Sequence, residues 1–88
     1  MSLDDLIFID NLPKLDLHGL DRDTALVIIN EFINDNIIMK NEFLIIIHGI
    51  GTNTLKNKTH EVLESNKNVI EYKLSMYNIG CTFVKIKI

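Results

Sequence analysis

Two short segments of the sequence carry side chains suited to acid–base chemistry. In the first, Asp16 and His18 are two residues apart. On a strand this spacing places both side chains on one face, where a carboxylate can orient or charge-stabilise an imidazole. The second segment, His48-Gly49-Ile50-Gly51, supplies another imidazole. Because the reference pKa of histidine, about 6.5, lies near neutral pH, His18 and His48 could act as an acid and a base.

The second segment also has the character of an anion-binding loop. Glycine lets the backbone approach a ligand closely, and the start of a following helix offers N–H groups and the positive end of its dipole. Two lysines lie near that start. We therefore predict catalytic roles for Asp16, His18 and His48, and phosphate or nucleic-acid contacts for Gly49, Gly51, Thr52, Lys56 and Lys58.

The same residues also permit a purely structural interpretation. Asp16 could hydrogen-bond a loop backbone and His18 could be a satisfied, half-buried imidazole, while residues 48–51 could simply turn a strand into a helix. We expect His60, in the middle of a helix, to face solvent. No Cys-x-x-Cys or His-Glu-x-x-His spacing occurs, so neither a metal nor another cofactor is predicted.

The elements that must position these residues follow from the hydrophobic pattern. Alternation over residues 15–18 predicts a strand, and Asp21 is suited to cap a helix over residues 22–38. The apolar run at 43–47 is typical of a strand covered on both faces. Further predicted elements are a helix capped by Thr52 or Thr54 and ending at residues 65–66, and a hairpin of strands 69–74 and 81–88 joined by a turn at 77–80.

A helix-length crossover separates the first two strands, so we expect them to be adjacent and parallel. In such sheets ligands bind beyond the carboxyl ends of the strands. The ends at His18 and His48 would then form one site.

Length and composition limit the possible functions. Eighty-eight residues, 47% of them hydrophobic, allow one domain with a single core. The longest apolar run is far shorter than the roughly 20 residues of a membrane span, and the acidic start does not resemble a signal peptide, so we expect a cytoplasmic protein. The lone Cys81 is expected to be a buried structural thiol.

The net charge and the number of arginines further limit how the protein could bind nucleic acid. The net charge of −3 argues against a protein that coats nucleic acid nonspecifically, so any phosphate contact must be local. Arg22 is the only arginine, which leaves few donors for bidentate recognition of phosphate.

Three segments together resemble the Smr (small MutS-related) domain family. They are the strand end Leu15-Asp16-Leu17-His18-Gly19, the His48-Gly-x-Gly loop, and Gly80-Cys81-Thr82-Phe83-Val84 at the start of the last strand. The resemblance runs from Leu15 to the C-terminus, so we expect a short arm at residues 1–13 and a complete domain at 14–88. Family members often carry Lys or Arg where this chain has Ile50, and a longer glycine-rich loop before the last strand.

The resemblance implies an α/β fold of the α+β two-layer sandwich type, with the order β-α-β-α-β-β. Two helices would cover one face of a four-stranded mixed sheet, as in the C-terminal domain of translation initiation factor three. It also implies a site at Asp16, His18, His48, Gly49 and Gly51. The family includes endonucleases that nick DNA or cleave RNA and members credited only with binding.

Two functional hypotheses follow. The first is a small Smr-type endonuclease that cleaves RNA or DNA by histidine-based acid–base catalysis without a metal. The alternative is a noncatalytic module that binds nucleic acid or a ribonucleoprotein such as the ribosome through the same cleft. A protein-interaction domain would suit the acidic surface, but no motif supports it.

Overall fold

The computed structural model describes residues 12–51, 53–76 and 79–88. Its elements, in chain order, are β1 (Lys14–Asp16), α1 (Arg22–Ile38), β2 (Phe43–Ile47), α2 (Thr54–Ser65), β3 (Val69–Leu74) and β4 (Cys81–Ile86). The strands form a four-stranded sheet in the order β1-β2-β4-β3. β1 runs parallel to β2, whereas β4 is antiparallel to both of its neighbours. The predicted mixed sheet and the adjacent parallel pair are therefore confirmed.

Both helices contribute to one hydrophobic core on one face of the sheet. Leu44 and Ile46 of β2 belong to this core, and Ile45, which alternates with them, is also only 2% exposed. The central strand is thus covered on both faces, as its unbroken apolar run predicted. The other buried apolar residues of the core cluster are Leu17, Ala25, Ile29, Ile33, Val62, Leu63, Val84 and Ile86.

The two helices begin in different ways. The Asp21 carboxylate accepts the N–H of Thr24 at 2.7 Å, so the predicted cap of α1 is confirmed. The hydrogen bonds from the backbone and side chain of Thr24 lower the pKa of Asp21. Asn53 occupies the cap position of α2 in a left-handed conformation with φ of 66°. Thr54 is the first helical residue, so its predicted capping role is wrong. Asparagine adopts this conformation more readily than β-branched threonine, and Thr52 lies outside the described residues.

Strand β1 ends earlier than the alternating pattern predicted. The carboxylate of Asp16 accepts the N–H of His18 at 2.8 Å, and this local turn replaces a further ladder bond. The N–H of Leu17 still donates to the carbonyl of Ile47 at 2.8 Å, which holds the chain beside β2 as it leaves the sheet.

Other boundaries also differ slightly from prediction. β4 ends at Ile86 rather than residue 88, and the N–H of Lys87 donates to the carbonyl of Asn68. Within the predicted turn at 77–80, Tyr77 and Asn78 lie outside the described residues, as do residues 1–11 of the proposed arm. In the described segments, no helix is long and apolar enough to cross a membrane.

Candidate functional site

The two predicted site segments line one cavity at the carboxyl ends of β1 and β2. Because the strands are parallel, with Asp16 in register with Ile47, both loops leave the same edge of the sheet. The cavity has a volume of about 750 Å³. Its lining residues are His18, Gly19, Leu20, Asp21 and Arg22 from the first loop and helix start, and His48, Gly49, Ile50, Gly51, Asn53, Thr54 and Leu55 from the second.

Both helices begin at this cavity. Asp21 and Arg22 line it at the start of α1, and Asn53 and Thr54 at the start of α2. The first N–H groups of a helix have no partner within the helix, and the macrodipole gives this end a partial positive charge. The side chain of Asn53 makes no capping hydrogen bond to α2. The wall at the start of α2 is therefore suited to hold an anion, whereas at the start of α1 the Asp21 carboxylate already accepts one of these N–H groups.

Arg22, which is not among the residues predicted for the site, extends the basic surface beyond the cavity. Together with Thr54 it lines both the cavity and an adjoining groove of about 190 Å³ that includes Lys58. Lys58, whose side chain is 17% exposed, lies 3.3 Å from the exposed carboxylate of Glu61, and such a partly solvated pair contributes little to stability. Lys56 lines neither space, although its charge acts on His48 and His60.

Asp16 and His18 have different surroundings. His18 is exposed and lines the cavity, whereas Asp16 is absent from the described residues that line it. The carboxylate of Asp16 accepts the backbone N–H of His18 and so shapes the loop that carries the imidazole. Burial and the charge of Asp16 both raise the pKa of Cys81, a half-buried thiol that is less enclosed than predicted.

His48 is held by protein groups on both sides of its ring. It is 5% exposed, with Nδ1 2.9 Å from the carbonyl of Gly49 and Nε2 2.8 Å from the Thr82 hydroxyl oxygen. The backbone N–H groups of His48 and Gly49 both donate to the carbonyl of Gly80, at 2.9 and 3.0 Å. The His-Gly-x-Gly loop is thereby fastened to the start of β4.

The prediction that His60 faces solvent is wrong. Its Nε2 lies 2.8 Å from the same Thr82 hydroxyl oxygen, and its ring contacts His48 at 5.9 Å and Tyr72 at 5.1 Å between centroids. His60 comes directly after Thr59, which is buried on the inner face of α2. This position next to a buried residue was the signal in the sequence that His60 could also contact the core. Tyr72 packs against the core, and its hydroxyl donates to Glu64 at 2.9 Å.

Both clustered histidines favour the neutral form. Burial lowers the pKa of His48, and the nearby positive charge of Lys56 lowers it further, against an opposing hydrogen bond to the Gly49 carbonyl. Burial also lowers the pKa of His60, followed by repulsion from His48 and Lys56. The hydrogen bond to Glu64 raises the pKa of Tyr72.

The loop glycines meet different requirements. Gly49 has φ of 80°, in the left-handed region that most residues with a side chain adopt only with strain. A Cβ built on Gly51 would have no neighbouring heavy atom within 4 Å, and its φ is not positive. Gly51 is therefore not required by the packing of the loop. Within the described ranges, no three His, Cys, Asp or Glu side chains are grouped so as to hold a metal ion.

The geometry agrees with the comparison to known proteins. The family model described as "Smr domain" matches residues 15–87, most of the chain and every element containing the cavity residues. The chain belongs to the Smr domain family. It is 34% identical over 74 residues to "Endonuclease MutS2" of Halothermothrix orenii and 30% identical over 81 residues to the protein of that name from Alkaliphilus metalliredigens. The matches cover 84% and 89% of this Smr domain, but only 9% and 10% of the respective relatives.

Solved structures show the same fold. The Smr domain of Thermus thermophilus MutS2 superposes with a TM-score of 0.85 at 24% identity, covering 88% of this chain and all of that one. YdaL, a stand-alone small MutS-related protein from Escherichia coli, gives 0.80 at 18% identity, covering 85% of this chain and 64% of its own. These similarities confirm the predicted two-layer α/β sandwich.

Proposed function

We propose that this Smr domain binds nucleic acid in the cavity between the two helix starts and cleaves RNA there. The observation that carries the proposal is the placement of exposed His18, Arg22 and the beginnings of α1 and α2 around one cavity. The MutS2 relatives are named endonucleases, which supports nucleic acid as the class of substrate.

The proposed binding mode places one phosphate against the glycine loop and the start of α2. Backbone N–H groups at a helix start bind phosphate oxygens, and Arg22 can add a bidentate contact. The neighbouring phosphate would lie in the groove shared by Arg22, Thr54 and Lys58. Lys56 would contribute its charge from the edge of the site. This footprint is small, in keeping with the net charge of −3.

The proposed chemistry uses His18 as the base. Its imidazole takes the proton of the ribose 2′-hydroxyl, the 2′-oxygen attacks phosphorus, and the bond from phosphorus to the 5′-oxygen breaks. The leaving 5′-oxygen takes a proton from water, so the products are a 2′,3′-cyclic phosphate and a 5′-hydroxyl. Arg22 and the helix starts would stabilise negative charge on the phosphoryl oxygens. Asp16 acts indirectly, by fixing the loop that holds His18.

We propose for His48 a role other than the acid–base role predicted from the sequence. Both of its ring nitrogens have protein partners, and the ring is buried. We propose that it positions Gly49, Ile50 and Gly51 instead of exchanging a proton with the substrate. The acid–base role stays a prediction that a pH–rate profile can test.

The engagement of His48 also favours the second candidate, a domain that binds nucleic acid without cutting it. Two free imidazoles would suit a two-histidine mechanism, whereas the cavity exposes His18 and buries His48. Binding requires only the helix starts, Arg22 and the lysines. Association with the ribosome and a cytoplasmic location remain predictions under either candidate.

The decisive experiment compares substrates and variants. Purified protein is incubated with end-labelled single-stranded RNA, duplex RNA, and nicked or branched DNA, in excess chelator, with His18→Ala and Lys67→Ala measured alongside. Lys67 is exposed and lies beyond the opposite end of α2, so its variant controls for nonspecific changes. We expect RNA to be cut best, and His18→Ala to slow cutting at least about 10²-fold, the lower range for general acid–base catalysis.

The possible results distinguish the candidates. Cleavage that stops with chelator and returns with Mg²⁺ contradicts the metal-independent mechanism. Cleavage that His18→Ala leaves unchanged contradicts the assignment of the base. Binding without cleavage of any substrate between about pH 5 and 8, where imidazoles commonly titrate, selects the noncatalytic candidate.

A further inference from the structure

Thr82 connects two histidines that lie on different elements. Its hydroxyl oxygen is 2.8 Å from Nε2 of His48, at the end of β2, and 2.8 Å from Nε2 of His60, on α2. Thr82 is fully buried in β4. The three side chains therefore form a chain of hydrogen bonds that runs between α2 and the sheet, from His60 to Thr82 of β4 and on to His48 in the wall of the cavity.

The direction of each hydrogen bond follows from the donors available. The Gly49 carbonyl can only accept, so Nδ1 of His48 carries a proton and donates to it. In neutral His48, Nε2 is then an acceptor and takes the single hydroxyl proton of Thr82. The hydroxyl oxygen must in turn accept from Nε2–H of His60. The chain therefore runs from His60 through Thr82 and His48 to Gly49.

We propose that His60 and Thr82 are positioning residues that hold the His-Gly-x-Gly loop in its binding geometry through this chain of hydrogen bonds. The ring of His48 can keep its bond to Gly49 only while Thr82 holds its other nitrogen. The orientation of Thr82 depends in turn on the proton donated by His60. The consequence for nucleic acid rests on the function proposed above, but the positioning itself does not require a ligand.

The other hydrogen bonds that hold this loop among the described residues are two backbone bonds to one acceptor, so the loop depends on the side-chain bonds as well. The N–H groups of His48 and Gly49 both donate to the carbonyl of Gly80. They hold the beginning of the loop against the start of β4 but do not fix the rotation of the His48 ring. The ring is the connection between Gly49, which lines the cavity, and the buried Thr82.

The direct test is nuclear magnetic resonance of the imidazole nitrogens in the full chain. At pH 7.5 we expect His48 protonated on Nδ1 and His60 protonated on Nε2. Thr82→Val removes the hydroxyl while keeping the shape of the side chain, and Thr82→Ser keeps the hydroxyl. Amide exchange at His48 and Gly49 should accelerate about tenfold in Thr82→Val, since a net hydrogen bond has roughly this effect on an equilibrium, and remain close to wild type in Thr82→Ser.

His60, which is only partly buried, provides a second pair of variants. His60→Gln retains an N–H donor for Thr82, whereas His60→Phe retains a ring against Tyr72 but has no donor. We expect the glutamine variant to keep wild-type amide exchange at Gly49 and the phenylalanine variant to lose it. This pair keeps the inference testable if Thr82→Val fails to fold.

Binding of a labelled single-stranded RNA distinguishes a failure of the proposed function from a failure of the positioning role. If the wild type does not bind RNA but the tautomers and exchange rates are as expected, the positioning chain stands and the proposed function fails. If RNA binds, Thr82→Val and His60→Phe should weaken it by a similar factor of about ten. The inference is overturned by the opposite tautomer in His48, or by unchanged exchange at Gly49 in folded Thr82→Val or His60→Phe.

Discussion

The imidazoles of His48 and His60 meet edge to face, with ring centroids 5.9 Å apart and planes at 90°, and their Nε2 atoms share the hydroxyl oxygen of Thr82. One hydroxyl proton lies between two ring nitrogens. If His48 gains a proton, the two bonds to Thr82 can reverse, but if both rings are charged both must donate to one oxygen. The Thr82 oxygen has two lone pairs and can accept both bonds, but two positive charges would then lie side by side in a buried cluster, so a second added proton is disfavoured.

Stability should therefore fall in mildly acidic solution. The pKa values of His48 and His60 are lower in the folded chain than their usual value, so below about pH 6.5 the unfolded chain takes up protons first. We expect the free energy of unfolding to be nearly constant above about pH 7.5. It should decrease as the pH falls from about 6.5 towards the folded pKa values, by up to about 1.4 kcal/mol per pH unit for each neutral histidine.

Urea unfolding between pH 5.5 and 8 measures this dependence. The charged or titratable side chains next to the two histidines are Lys56 and Tyr72, and Tyr72 donates to Glu64. The pKa of Tyr72 is raised from its usual value, so Tyr72 does not titrate between pH 5.5 and 8. His60→Gln removes one titrating ring and should give a shallower slope than wild type. An equal slope in the two proteins would show that His60 does not contribute.

The two loop glycines should respond differently to alanine. Gly49→Ala places a side chain at φ of 80° and is expected to lower stability by about 1–2 kcal/mol. Gly51→Ala meets no neighbouring atom within 4 Å and should fold normally, with a change below about 1 kcal/mol. Its Cβ nevertheless projects from a residue lining the cavity, so RNA affinity should drop about tenfold through loss of a phosphate contact. Thermal unfolding and RNA titration of both variants check these outcomes. Normal affinity in Gly51→Ala would place the phosphate elsewhere.

Arg22 should carry part of the phosphate footprint. Arg22→Gln removes one cation, so the slope of log Kobs against log salt concentration should become shallower by about 0.7 to 0.9, equivalent to a five- to eightfold loss at about 0.1 M salt. Lys67→Gln makes the same charge change beyond the far end of α2 and should have a smaller effect. Fluorescence anisotropy at several salt concentrations measures both. Equal losses would point to general electrostatic attraction instead of a local contact.

Replacing Ile50 with lysine should strengthen binding. Ile50 is 62% exposed and lies between the loop glycines in the cavity wall, so a cation there can reach a bound phosphate without disturbing the core. We expect affinity for RNA to rise about five- to eightfold at about 0.1 M salt, with a steeper salt dependence. Ile38→Lys is the matched control, because Ile38 is 79% exposed and lies at the far end of α1 from the cavity. If both variants gain equally, the loop is not the binding surface.

The sequence was sufficient to predict the elements and their main connections. Hydrophobic periodicity located α1 and β2 with the boundaries that the structure shows, because each pattern reflects the face that a local segment must bury. The helix between β1 and β2 predicted a parallel pair. It followed that His18 and His48 would leave the sheet at one edge. The end of β1 and the cap of α2 were less predictable, since side-chain hydrogen bonds and a left-handed residue at single positions decided them.

Tertiary structure decided what the site residues contact. The sequence alone placed His18 and His48 together as candidate acid and base, but packing exposes the first and gives both nitrogens of the second to Gly49 and Thr82. The packing of α2 on the sheet likewise places His60, which was predicted to face solvent, against the hydroxyl of Thr82, 22 residues away in the sequence. Periodicity specifies which face of each element is buried. The partner that a polar atom meets there depends on strand register and on how the helix packs across the sheet, and these are properties of the assembled fold.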